Sequence, residues 1–227
     1  MHILIIGALL LMVVFGPQWW AKHILRQHTH SRADFPGTGG QFARHLLDQF
    51  QMDSVKIEST EQGDHYDPLA KAVRLTPDIL NGKSLTAVTV AAHEVGHAIQ
   101  DHLGYAPLHW RTRLVRLAQT AEKTGSGVLL VMPFVALLTR SPAAGGVMFL
   151  VGLCSMAIGT IVHLVTLPVE WDASFGRALP LMQAGRYLNK SDEQAARRIL
   201  QACALTYLAA SLASLLNVWR WLRLWRR

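Results

Sequence analysis

The run from Ala143 to Val169 constrains this 227-residue chain most: 27 consecutive residues without one Lys, Arg, Asp or Glu. A helix of that length reaches about 40 Å, more than the ~30 Å of a bilayer's hydrocarbon core, so the run predicts a tilted membrane span. Gly127 to Leu138 is shorter and carries Pro133, which predicts a kinked helix. Only Arg140, Ser141 and Pro142 separate the two, so together they predict an antiparallel hairpin that returns the chain to the side it left.

Two further apolar runs flank the chain. Ile3 to Trp20, followed by Lys22, predicts an amino-terminal anchor, because no basic residue precedes Ile3 and no small-x-small cleavage site follows the run. Ala202 to Leu216, with Trp219, Arg220, Trp221, Arg223, Trp225, Arg226 and Arg227 after it, predicts a span with an aromatic and cationic collar. An interfacial helix competes with that reading. At 51% hydrophobic and 16% charged the chain is unlike a disordered or an ordinary water-exposed one. Its formal charge of +7 gathers beside apolar runs, which points to lipid and to orientation, with no nucleic acid as partner. Cys154 and Cys203 stand far apart in apolar surroundings and form no disulfide framework.

Between Lys22 and Lys123 the chain changes character. Phe42, Leu46, Leu47 and Phe50 recur at helical spacing behind the Gly37-Thr38-Gly39-Gly40 turn and predict a helix from Gly40 to Phe50. Val55 to Glu58 and Ala72 to Leu75 alternate like strands of a small two- or three-stranded sheet. Ser84 is a fitting cap for a helix from Leu85 to His102, which Gly104 ends.

That helix carries His93-Glu94-Val95-Gly96-His97. Histidines four residues apart share a helix face, so their imidazoles can converge on one metal ion. Zinc suits such ligands, and a catalytic site needs a third protein ligand and a position for water. Glu94 lies roughly 100° round the helix from His93, close enough to serve as general base without ligating. Gln100 and Leu103 stand where a metzincin has Gly and His, so that subclass is excluded. His102 faces away, His109 belongs to a loop, and Glu122 and Glu193 fit other positions less demanding of a ligand. Glu170 is the best third candidate, because the returning hairpin would deliver it near His93 and a carboxylate at the edge of a span needs a partner. A plain ion pair with Arg177 is the competing role for Glu170. Asp172, about 200° round a helix from Glu170, is placed to orient a histidine instead of ligating.

At these residues the chain resembles the YugP-like neutral zinc metallopeptidases, bacterial membrane proteins of the gluzincin group. The resemblance covers Gly63-Asp64-His65-Tyr66-Asp67-Pro68, Val73-Arg74-Leu75, Ser84 to Gln100 and Thr166 to Ser174. It implies Zn2+ held by His93, His97 and Glu170, with Glu94 catalytic, in the inner membrane of a bacterial cell. Gluzincins of the membrane chaperone-protease type have Asp four residues after the third ligand, where this chain has Ser174.

The expected fold is a mainly α membrane protein, with about four transmembrane helices and a small α+β zincin-like extramembrane domain. Its parts would be an anchor at 1–21, the zincin-like domain at 22–123, the hairpin at 124–169, the third-ligand region at 170–201 and a transmembrane or interfacial helix at 202–227. The expected activity is that of a membrane-bound zinc metalloendopeptidase acting on a peptide or protein, against a zinc-binding membrane scaffold or a hydrolase of another amide. His65 and Tyr66 are candidate donors to the tetrahedral oxyanion, against a simple turn at Asp67-Pro68. The Ala72 to Leu75 strand is a candidate to pair with extended substrate. Lys22, Arg26 and Arg32 after the first apolar run favour a cytosolic catalytic domain.

Overall fold

Local chemistry at the chain's turns sets the first elements. The Thr38 hydroxyl accepts from Gln41 N at 3.2 Å while the Gln41 side chain accepts from Thr38 N at 2.9 Å. This reciprocal capping starts helix α2, Gly39–Gln49, within a residue of its expected position. It follows helix α1, His2–Gln27. The computed structural model describes residues 2–118 and 165–206, with isolated positions at 120, 131, 134, 146, 147, 150, 151 and 162.

Three strands come next: β1 Lys56–Ser59, β2 His65–Asp67 and β3 Ala72–Leu75. β3 lies in the middle, parallel to β1 and antiparallel to β2, with Ile57 and Tyr66 both opposite Val73. Both edges of β3 are therefore occupied, and it cannot pair with substrate backbone as the sequence suggested; β1 and β2 hold the outer edges. Val73 and Leu75 are fully buried, whereas Arg74 reaches across the other face to Glu58 at 3.0 Å and Asp67 at 2.7 Å, tying all three strands.

After a short helix α3, Pro77–Leu80, the Ser84 hydroxyl accepts from Ala87 N at 3.1 Å and caps helix α4, Leu85–His102. The bounds match the expected ones. Every residue from Leu85 to Gln100 is buried. α4 is thus the central rod of the domain, packed by α2, the sheet and a later helical segment. At its end Tyr105 N bonds Gln100 O at 2.8 Å and Gly104 N bonds Asp101 O at 3.1 Å, while Gly104 sits at φ 65°. This left-handed termination reverses the chain into helical residues 106–118. The later segment runs through helical residues 165–171, a π-helical stretch at Asp172–Ala178 and a helix at Leu179–Ala184, before helical residues 190–206.

The expected membrane fold is corrected by this architecture. The described residues form a mainly helical α+β domain with a three-stranded sheet, and among them no helix is long and apolar enough to cross a membrane. The end of α1 shows the physical reason. Ala21 and Ile24 are buried in the shared core, and Leu25 O accepts from the Thr86 hydroxyl at 2.8 Å, so these turns are solvated by protein. The expected hairpin at 124–169 and the run beyond Thr206 lie largely outside the described residues.

Candidate metal centre

α4 and the segment around Glu170 meet through a missing side chain. A Cβ on Gly96 would stand 2.6 Å from Ala173 O, so the two backbones approach this closely only because residue 96 has none. Gly96 lies inside the His93-to-His97 motif, and the contact sets Glu170 against both histidines. Glu170 Oε2 is 3.2 Å from His93 Nε2 and 3.2 Å from His97 Nε2. One donor atom from each of the three buried side chains falls within 4.8 Å of the others.

Each imidazole is held from behind. The Ser174 hydroxyl donates to Leu200 O at 3.2 Å, so it accepts from His93 Nδ1 at 3.0 Å. The Gln100 amide nitrogen donates to Val169 O and to Asp172 Oδ2, both at 2.8 Å. Its oxygen is left to accept from His97 Nδ1 at 3.0 Å. Both rings therefore carry their proton on Nδ1 and turn a bare Nε2 toward Glu170.

Donor chemistry and spacing both fit zinc. Four ligands about 2.0 Å from a tetrahedral ion stand about 3.3 Å apart, close to the two His–Glu separations of 3.2 Å. Glu170 Oε1 is buried without a hydrogen bond, 3.5 Å from Arg111 Nη2. Burial pushes the Glu170 carboxyl up, and positive charge on the His97 and His93 side outweighs it and holds the group well below the usual carboxylate range; with both Nε2 atoms bare, that charge is left for a bound cation to supply. Such a site favours a cation.

Glu94 is buried beside the three. Desolvation raises its carboxyl to about 7; His93 and Arg111 oppose the shift, and the negative charges of Glu170 and Asp64 add to it. A carboxyl so poised exchanges protons near neutral pH.

The structure brings His93, Glu94, His97 and Glu170 together. Among the described contacts Asp172 makes no hydrogen bond to a histidine and reaches His97 through Gln100, while also accepting from Arg177 Nε at 3.2 Å. Arg177 thus pairs with Asp172, and Glu170 takes the histidines. Tyr66 is committed elsewhere: its hydroxyl donates to Asp101 Oδ2 at 2.6 Å, and burial with that acceptor pushes its ionisation far up. His65 Nδ1 lies 2.8 Å from Gly63 O. Neither makes a hydrogen bond to the cluster among the described contacts. Sequence reasoning missed Gln100, Arg111 and the bond made by Ser174. For Ser174 and Gln100 a signal existed: each lies three or four residues from a ligand, on the same helical face.

The profile of the family described as "Putative neutral zinc metallopeptidase" matches residues 2–226. A relative from Bacillus subtilis (strain 168), named "Putative membrane protease YugP", is 31% identical over 217 residues, covering 93% of this chain and 92% of its own. No solved structure matches the chain. With nearly its whole length matched, and with two imidazoles and a carboxylate converging as described, the chain belongs to the neutral zinc metallopeptidase family.

Proposed function

We propose that the chain is a zinc endopeptidase in which His93, His97 and Glu170 hold the ion and Glu94 is the general base. The observation that carries this reading is the pair of imidazoles, each pinned at Nδ1 and each presenting Nε2 3.2 Å from one carboxylate oxygen. Bound there, zinc supplies Lewis acidity that lowers the pKa of a water and polarises the scissile carbonyl. Glu94, buried beside the three ligands, would act as the general base, holding the proton of the attacking water on its carboxylate and passing it to the departing amine nitrogen. Asp172 fixes Gln100, and Gln100 fixes His97. For the oxyanion, His65 is the candidate donor, and because its Nδ1 donates to Gly63 O it would serve through Nε2–H in the imidazolium form, whereas Tyr66 supports α4 through Asp101. The substrate is a peptide or protein, and the name of the Bacillus subtilis relative supports a bacterial membrane as the place of the reaction, with no span assigned to this chain.

The test is Glu94→Gln in purified protein, with zinc content and peptide cleavage measured together. Cleavage should fall by about 10²-fold or more while zinc and fold persist. Undiminished cleavage in that variant, or wild-type protein that takes up no zinc, overturns the proposal. Zinc bound without peptide cleavage by the wild type would favour the scaffold or another amide hydrolase.

A further inference from the structure

The two oxygens of Glu170 meet different surroundings. Oε2 is shared by the histidines, whereas Oε1 is buried, lacks a hydrogen bond and has the Arg111 guanidinium 3.5 Å away. Arg111 arrives by design of the fold. The reversal at Gly104 sends residues 106–118 back past the end of α4, and Leu108, only 2% exposed, anchors that helix. Arg111 follows Leu108 by three residues and so shares its inward face, with the side chain 19% exposed.

We propose that Arg111 is a positioning residue that claims Glu170 Oε1, so that Glu170 meets the ion through Oε2 alone. The inference rests on reading His93, His97 and Glu170 as the ligands. A carboxylate that binds through one oxygen leaves room around the ion for a water and a substrate carbonyl, whereas binding through both oxygens crowds that room. One guanidinium nitrogen faces Oε1 at 3.5 Å, so Arg111 acts on this oxygen by charge, and a guanidinium stays charged when buried where a lysine ammonium readily loses its proton. The charge of Arg111 also reaches Glu94, which agrees with a guanidinium lying against the cluster.

The experiment compares wild type, Arg111→Ala and Arg111→Gln, each loaded with zinc or cobalt(II), with folding checked by circular dichroism. Zinc affinity is measured by chelator competition and coordination by the visible spectrum of the cobalt form, intense for four ligands and weak for five or six. Both variants should bind zinc about 10–100-fold more weakly and shift the cobalt spectrum toward higher coordination. Unchanged affinity and an unchanged spectrum overturn the role of Arg111, and Arg111→Gln decides if Arg111→Ala does not fold. Wild-type protein that binds neither metal overturns the ligand assignment itself, so the two failures are distinguishable.

Discussion

Replacing Gly96 by Ala separates the packing of the domain from the geometry of its site. The new Cβ would stand 2.6 Å from Ala173 O, about 0.8 Å short of ordinary contact, in a place where both neighbours are backbone. Overpacking of this kind costs about 1–3 kcal/mol. Alanine recovers about 0.5–1 kcal/mol over glycine inside a helix. The net loss is then at most about 2.5 kcal/mol, or a fall in Tm of no more than about 10 °C at ~2–4 °C per kcal/mol. The site suffers more. Glu170 lies three residues before Ala173, so a recoil of the segment opens the 3.2 Å separations to about 4 Å, beyond the ~0.5 Å tolerance of a preorganised site. Zinc affinity should drop by at least about 10-fold. Chelator competition and thermal unfolding of the metal-free protein measure the two effects separately. A Gly96→Ala protein that binds zinc within twofold of wild type, with Tm unchanged or raised, would refute the close-approach argument.

Ser174→Ala should free the His93 ring and weaken zinc binding by about 10–100-fold with little change in fold; equal affinity would show that the hydroxyl does not set the tautomer. In the metal-free protein Glu94 holds its proton up to about 7, while the unfolded chain releases its own near 4.5. Stability from this group is therefore fully present below pH 4.5 and lost as pH rises through about 7, a change of about 3 kcal/mol. Denaturant melts at pH 5 and pH 8 should show that loss in metal-free wild type and not in Glu94→Gln; identical pH dependence in the two proteins would contradict it.

The part of the fold written most plainly in the sequence is α4, where Ser84, the His93-to-His97 spacing and Gly104 specify start, body and stop. Nearby residues set all three signals, so a linear reading finds them. β2 was not read as a strand, because three residues ending in Asp67-Pro68 resemble a turn; its pairing with β3 and the Arg74–Asp67 bond decide the matter. The π-helical stretch left no signal either. There Leu179 N bonds Ser174 O, and the same five-residue spacing pairs Asp172 with Arg177, an alignment that α-helical angles do not give. Of the apolar runs, the first lies within the described residues, while those at 127–169 and beyond Thr206 lie largely outside them. Ile3 to Trp20 suggested a lipid solvent, yet the helix it opens ends with Ala21 and Ile24 inside the core. Apolarity reports what a residue avoids and is silent on whether lipid or protein replaces the water. Within the site, the motif histidines follow from local spacing. Arg111 becomes visible only once the chain reversal at Gly104 is known.

His97 and Glu170 are 73 residues apart. During synthesis the helix bearing the histidines emerges first, and at about 5–20 residues per second the carboxylate follows about 4–15 s later. Throughout that interval the nascent chain has two donors and no third. Under the proposed zinc reading, a hydrolase assembled in this order would stay idle beside its own unfinished polypeptide and its ribosome, and would be armed only when the late segment docks beside Gly96. Joining the two halves in the reverse order, by circular permutation, would leave the finished geometry intact while removing that delay for the histidine helix.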